Sequence, residues 1–272
     1  MSGLILRLSG LLQAWGERGT FHDRDTSPFP TRSALIGLIA AAQGRTRTQA
    51  LAPYPHLPGN PSHHDLTFTL RIDDPGTRYR DFHTVGAGYP PDKRLPTASG
   101  TPRKQEESTL VSRRDYLTGA CFTVAVEGPA PLLEDIAAAL TAPQFGLYLG
   151  RRSCLPDEPL LLSAHTADPI TELRTRVPLT RTTPPTPTDT TLPTTFVWEQ
   201  PPPDAQTTYP DREAASEPAD FTPHTRSHLP RPLWMTTEHL PAALHAGPRP
   251  IDALTTYLTG APPCTPPPLP NS

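Results

Sequence analysis

Two groups of residues in this 272-residue chain have the types and spacing to act on a phosphate. The first is Thr31-Arg32-Ser33, which follows Pro30 and opens the apolar run from Ala34 to Gln43. A helix start offers free N–H groups and the positive end of the dipole, and a guanidinium beside them favours an anion there. The same residues suit a capped core helix whose Arg32 is merely solvated. The second group is Arg80 and His83, with Arg113, Arg114 and Tyr116 further along. A base, an acid and a cation for a phosphorane are what metal-independent RNA cleavage by the 2′-hydroxyl requires. Each of these side chains can equally bind phosphate or stack on a base, without a tuned pKa or in-line geometry. Binding is the less demanding reading. Arg151-Arg152 adds two cations that would otherwise anchor through carboxylates, and Trp15 and Tyr116 are stacking rings or core aromatics.

Other chemistries lack their motifs. There is no Walker loop, His-Glu-x-x-His, Gly-x-Ser-x-Gly elbow or EF-hand. His63-His64-Asp65 has poor ligand spacing, because adjacent strand residues point to opposite faces, and reads as a solvated loop. Cys121, Cys154 and Cys264 are scattered and odd in number, which argues against both a disulfide framework and zinc. Cys121 reads as a small core residue. No cofactor or metal is expected.

These residues need elements to hold them. Leu4, Leu6 and Leu8 alternate along a first strand. A helix follows from the Thr31 N-cap to a Gly44 stop, with apolar residues on nearly every face. Leu66, Phe68, Leu70 and Ile72 face one way from a second strand, with Thr67, Thr69 and Arg71 opposite. Cys121–Val126 is a third strand, Pro131 opens a second helix to about Ala142, and Leu147–Leu149 and Pro159–Leu162 can supply more strand. The order is the β-α-β-β-α-β pattern of an α+β, ferredoxin-like or RNA-recognition fold, two helices on one face of an antiparallel sheet and the other face free. The insertion Asp81–Leu117 is too long for a hairpin turn and carries Lys93, Arg94, Arg103 and Lys104 besides Arg113 and Arg114. It reads as a projecting hairpin or mobile arm.

The organisation expected is a palm over residues 1–165, a smaller Pro/Thr-rich portion over 166–240 and a partly disordered tail over 241–272. From Pro178 onward 22 of 95 residues are proline. Thr182–Thr195 and Gln200–Thr208 read as irregular or extended chain, Arg226–Met235 as a strand or docking segment, Asp252–Thr259 as a short helix and Ala261–Ser272 as disordered. The net charge of −3 hides an asymmetry: residues 1–126 carry 15 Lys+Arg against 11 Asp+Glu, and the remainder 9 against 16. A basic face on an acidic protein therefore remains open. Arginine outnumbers lysine 22 to 2, which suits bidentate phosphate contact but is explained first by a GC-rich genome. No apolar run reaches membrane-spanning length and no signal leader is evident, so a cytoplasmic protein without a membrane partner is expected.

Several segments, in order, carry a family resemblance: Leu4-Ile-Leu-Arg-Leu-Ser-Gly10, Gln13-Ala-Trp-Gly16, Phe29-Pro-Thr-Arg-Ser33 with Gly37-Leu38, Arg80-Asp-Phe-His-Thr-Val85, Arg113-Arg-Asp-Tyr-Leu117 and Tyr148-Leu-Gly-Arg-Arg-Ser-Cys-Leu155. Together they resemble the CasD subunits of type I-E Cascade, in the RAMP superfamily. The match covers roughly residues 1–165 and continues weakly through Asp211-Arg212 and Leu229-Pro-Arg231. It implies a non-catalytic subunit of a CRISPR surveillance complex in antiviral defence. That subunit binds the 5′ handle of CRISPR RNA, has the backbone subunit CasC and the large subunit CasA as neighbours, and meets target DNA through the complex. Residues 81–117 would be a thumb that displaces a nucleotide at the handle–spacer junction. Thr31, Arg32, Ser33, Arg80, His83, Arg113, Arg114, Tyr116, Arg151, Arg152 and Trp15 become candidate RNA contacts. Relatives in type I-C complexes cut precursor RNA with Tyr, Lys and His, the last two adjacent. Here Lys93 precedes Arg94 and Lys104 precedes Gln105, so that activity does not carry over. The alternatives are a metal-independent endoribonuclease and a protein-only scaffold. The Pro/Thr-rich region is longer than the resemblance leads one to expect.

Overall fold

The computed structural model describes residues 2–20, 22–86, 88–97, 99–202, 209–222 and 224–260. The expected tail Ala261–Ser272 and most of the expected irregular stretch Gln200–Thr208 lie outside them. In chain order the elements are β1 (Gly3–Ser9), β2 (Leu12–Gln13), β3 (Asp23–Arg24), α1 (Arg32–Ala42), β4 (Thr67–Asp74), β5 (Thr77–Val85), β6 (Leu110–Thr118), β7 (Cys121–Glu127), α2 (Ala130–Thr141), β8 (Leu161–Thr166), α3 (Pro169–Thr175), β9 (Thr191–Trp198), β10 (Arg212–Asp220), β11 (Ser227–Pro241) and α4 (Pro250–Thr259).

Among the described residues, seven strands form one antiparallel sheet in the order β10-β11-β9-β4-β7-β1-β8. Alternation decides which face each side chain takes. Leu4, Leu6, Leu8, Phe68, Leu70, Phe122, Val124 and Val126 project to one face. There they pack under Leu35, Ile36 and Ile39 of α1 and Leu132, Ile136 and Leu140 of α2. Burying a side chain of the size of Phe122 contributes about 1.5–3 kcal/mol. Helix α1 ends as its sequence says it should. Gly44 takes φ +72°, the left-handed conformation in which the Arg45 N–H reaches back to the Ala40 carbonyl at 2.9 Å.

The opposite face is not free. Ile5, Ala125, Leu162, Phe196, Trp198 and Trp234 project to it, and Leu173, Val177, Leu240 and Leu254 cover them. Arg71, expected on an outward face, is fully buried there. It pairs with Asp73 (Nε to Oδ1, 2.6 Å) and donates to the carbonyls of Val177 (3.0 Å) and Pro178 (2.9 Å), which pins the chain after α3 over the sheet. The reason lies in the region read as irregular: Thr191–Trp198, Arg212–Asp220 and Ser227–Pro241 are strands, and β9 joins β4 directly. This portion extends the palm's sheet instead of standing apart from it. Pro218 sits on the outermost strand β10, and Pro193, Pro232 and Pro241 stand where their strand pairs on one side only, so a missing N–H is tolerated. Within 241–260, expected as tail, α4 packs Leu254 into that second core. Leu147–Leu149, a candidate strand, is loop, and β8 supplies the edge.

The insertion between β4 and β7 is a hairpin, β5 with β6, whose strands run from Thr77 and to Thr118, slightly outside the expected 81–117. On its far side β6 also pairs with β2 and, in parallel, with β3. Residues between β5 and β6 form a long distal loop with two short 3-10 turns, at Pro91–Lys93 and Gln105–Glu107.

Candidate nucleic-acid interface

With both faces of the main sheet covered, the hairpin offers one group of exposed cations, Arg78, Arg80, Lys93, Lys104 and Arg113. Its register places Arg80 opposite Asp115, Asp81 opposite Arg114, Phe82 opposite Arg113 and His83 opposite Ser112. Directly opposed residues share a face, so Arg78, Arg80, Phe82 and Arg113 lie on one side, and Tyr79, His83, Arg114 and Tyr116 on the other.

The first side is organised by Asp115. Its buried carboxylate accepts from Arg78 Nη2 at 2.5 Å and from Arg80 Nε at 2.7 Å and Nη2 at 3.2 Å. The Arg80 hydrogen bond holds the Asp115 carboxyl below its ordinary pKa, and in return Asp115 raises that of Arg80. Both arginines keep most of their surface in solvent, at 56% and 61% side-chain exposure. They are held at one end and open at the other, beside an exposed Phe82. Arg113 is exposed, with a loose 3.8 Å approach to Asp23, and its N–H donates to the His22 carbonyl at 2.7 Å. On the second side His83 lies 3.7 Å from Asp81, and Arg114 Nε donates to Ser112 Oγ at 3.4 Å. Tyr79 is exposed, as is Tyr89 in the distal loop. Lys93 and Lys104 are exposed in that loop, while Arg94 is half-buried and donates to Gln105 at 2.7 Å, and Arg103 is half-buried.

Several of the expected contacts have their side chains turned into the fold. Thr31, Arg32 and Ser33 are all buried at the start of α1. The Thr31 hydroxyl makes no capping bond and lies 3.3 Å from that of Ser33. Arg32 turns inward: Nη1 pairs with Glu199 at 2.8 Å and Nε with Glu217 at 2.7 Å, Nη1 and Nη2 donate to the carbonyls of Leu66 and His64, and the guanidinium lies over Phe68. Arg231 meets the same two carboxylates at 3.4 and 2.6 Å, and His64 meets Glu217 at 2.8 Å. The helix start is therefore a closed ionic clamp between α1 and the strands after β8, with no open anion seat. Trp15 is fully buried, its Nε1–H donating to Gln13 at 3.1 Å. Tyr116 is buried under Arg151, 4.6 Å from guanidinium carbon to ring centre. Arg151 donates to the carbonyls of Asp115 (2.9 Å), Arg24 (2.9 Å) and Asp25 (3.2 Å), an anchoring role through carbonyls instead of carboxylates. Gly150 permits this approach: at φ +92°, a Cβ there would sit 1.8 Å from the Ala14 carbonyl oxygen. Arg152, its neighbour, is exposed.

The nuclease set does not converge. The pleat separates Arg80 and Arg113 from His83 and Arg114, and Tyr116 is covered by Arg151. His63, read as solvated, is fully buried. Its Nδ1 donates to the Ala50 carbonyl at 2.6 Å, which leaves Nε2 to accept from the Tyr54 hydroxyl at 2.7 Å. Burial lowers its pKa to about 4 and keeps it neutral. No cluster of metal-binding side chains occurs among the described residues, and no helix among them is long and apolar enough to cross a membrane. Sequence reading missed Arg78, Tyr79, Phe82 and Asp115; the alternation Arg78-x-Arg80-x-Phe82 was the available signal.

Comparison with known proteins supplies the family. The family model described as CRISPR-associated protein (Cas_Cas5) matches residues 3–233. The CRISPR system Cascade subunit CasD of Escherichia coli (strain K12) is 33% identical over 182 residues, 62% of this chain and 74% of that protein. A solved chain titled CRISPR RNA-guided surveillance complex superposes with a TM-score of 0.82 at 38% identity, covering 94% of this chain and 99% of its own. Another, titled Crystal structure of Cas protein, gives a TM-score of 0.56 at 26% identity over 89% and 97%. A covered sheet with a cationic hairpin inserted between its middle strands is thus found in a chain that belongs to the CRISPR-associated Cas5 family.

Proposed function

We propose that this protein is the CasD-type subunit of a type I-E Cascade complex and holds the 5′ handle of CRISPR RNA on its hairpin without cutting it. The observation that carries the reading is the hairpin surface: Arg78 and Arg80, held by Asp115 but open to solvent, stand with exposed Phe82 and Arg113. Guanidinium groups with interleaved aromatic rings grip phosphates and stack unpaired bases. His83, Arg114 and exposed Arg152 are further contacts, and Lys93, Arg94, Arg103 and Lys104 take the distal loop across the guide at the handle–spacer junction. The strand order β4-β7-β1-β8, with α1 and α2 on one face, supports reading the core as a ferredoxin-like RAMP palm. CasC and CasA are the neighbours this role requires, target DNA is met through the assembled complex, and the complex acts in the cytoplasm.

The test is co-expression with the other Cascade subunits and a CRISPR array. The bound RNA should have one defined 5′ end, and Arg80→Ala/Arg113→Ala should reduce its retention while the chain stays folded. Site-specific cleavage of repeat RNA by the purified protein in EDTA, lost in His83→Ala, would overturn the non-catalytic reading.

A further inference from the structure

Helix α2 ends without the partners its last carbonyls need. An α-helix leaves its final carbonyls to donors beyond it. Here the Ala142 N–H reaches Ala138 at 3.2 Å, but Pro143 has no N–H to offer Ala139. Gln144 and Phe145 give theirs to Ala42 and Ala41 at the end of α1, at 2.8 and 3.3 Å. Among the described residues nothing donates to the carbonyls of Ala139, Leu140 and Thr141. The last turn of α2 carries no basic residue either, so the negative end of its dipole is uncompensated.

That end opens into a cleft of about 640 Å³, roomy enough for several side chains. Leu140, Leu147, Tyr148, Leu155, Pro156 and Leu161 give it an apolar lining. Leu155 is 64% exposed, and Phe145, on the rim between lining residues Pro143 and Gly146, is 52% exposed. Large apolar side chains left together in water mark a contact surface. The cleft sits at the beginning of β8, the strand that ends the order of the main sheet, and no hairpin residue lines it. Among the described residues Glu158 is the one charged side chain in the lining, and its Oε2 accepts from the Leu160 N–H at 3.2 Å. Arg151 is tied to carbonyls at the hairpin root, and exposed Arg152 does not line the cleft.

These features select the occupant. A nucleic-acid backbone would bring phosphates against Glu158 and the carbonyl end of α2, with no Lys or Arg in the lining to receive them. A purely apolar surface would strip water from the carboxylate and the three carbonyls and leave them unpaired, which is costly. An occupant that fills the cleft and satisfies its polar groups brings leucine-like side chains and a cation together. We propose that this cleft is a docking surface for a neighbouring protein, a segment of which inserts apolar side chains while its lysine or arginine meets Glu158 and the carbonyl end of α2. The inference rests on the reading of the chain as one subunit of a complex, which supplies the neighbour.

The test replaces Leu155 by the photo-crosslinker benzoylphenylalanine in the full chain, co-expressed with the other Cascade subunits and a CRISPR array. Leu155 and Phe145 are exposed, so changes there leave the fold intact. Irradiation of the assembled complex should join this chain to a peptide of another subunit that carries Lys or Arg among apolar residues. Glu158→Gln keeps an acceptor for the Leu160 N–H but loses the charge, and should cut the crosslink yield several-fold. Phe145→Asp should cut it about tenfold. Absence of a protein crosslink, a crosslink to RNA, to a second copy of this chain or to a peptide without Lys or Arg, or a yield indifferent to both substitutions overturns the proposal. CRISPR RNA copurifying with the parent chain in the same preparation reports on handle binding, so that reading stands or falls independently of the crosslink.

Discussion

Replacing Arg32 by alanine should unfold this protein more than it disturbs RNA. Arg32 and Glu199 are both almost wholly buried, with 1% and 3% side-chain exposure. The substitution removes pairs to Glu199 and Glu217 and leaves the carbonyls of Leu66 and His64 without their donor. Breaking a buried ion pair from one side costs about 3–5 kcal/mol, because the other charge stays buried. Arg231 still reaches both carboxylates, at 3.4 and 2.6 Å, so the lower end, about 3 kcal/mol, is expected. For a chain of this size that is roughly a 6–12 °C fall in Tm. Differential scanning calorimetry on the purified chain measures it, and Arg32→Ala/Glu199→Gln should recover part of the loss by discharging the orphaned acid. The pH dependence has a defined sign. Burial raises the Glu199 pKa, and Arg32 is the strongest influence opposing that rise. A raised carboxylate contributes stability that is fully present below its unfolded value, about 4.3, and is lost as pH rises through the folded value. Without Arg32 the folded value climbs further, so the defect should be smaller at pH 5 than at pH 7.5. A Tm within about 2 °C of the parent, combined with weakened RNA binding, would refute the clamp and restore Arg32 as a phosphate contact.

Three other outcomes follow from the same structure. His63, lowered from 6.5 to about 4 by burial, contributes stability that is present above 6.5 and lost as pH falls through 4; His63→Gln should flatten the acid limb of the unfolding curve over that window, which denaturant titrations at successive pH values will show. Asp115→Asn adds net positive charge to the hairpin but releases Arg78 and Arg80; handle affinity should fall several-fold if Asp115 orients them, and a rise would show that it only neutralises them. Cys121, buried with its pKa pushed up to about 12, should resist a thiol reagent in native Cys264→Ser protein until denaturant is added.

The elements that local pattern specifies were legible, and those that depend on distant chain were not. The alternation of Leu4, Leu6 and Leu8 and the Gly44 stop of α1 are local facts, and both elements form where that pattern puts them. The strands after Val177 defeated the reading because their prolines and threonines signal open chain, whereas their stability comes from pairing with β4 and from Phe196, Trp198 and Trp234 on the second face. That one omission propagated to the site. Without β9 and β10 in place, Glu199 and Glu217 had no position, so Arg32 looked like an unpaired cation at a helix start. Without α3 and α4 over the sheet, Arg71 looked exposed. The hairpin residues were easier to find, but only as types; the division of Arg80 and Arg113 from His83 and Arg114 needed the register across β5 and β6.

The contrast between Arg32 and Arg80 states the physical criterion that sequence lacks. Both are arginines in segments that resemble the same family, and both are bound to carboxylates. Arg32 shares one buried acid, Glu199, and one part-buried acid, Glu217, and has no surface left, so its charge is spent inside the fold. Arg80 shares one acid with Arg78, two cations to one anion, and keeps 61% of its side chain in water. The uncompensated positive charge of that trio is what a phosphate can use. An assay that ranks Arg80→Ala and Arg32→Ala by salt slope tests the criterion itself: the first should flatten it by about 0.7 on single-stranded RNA, and the second should leave it unchanged in whatever fraction stays folded.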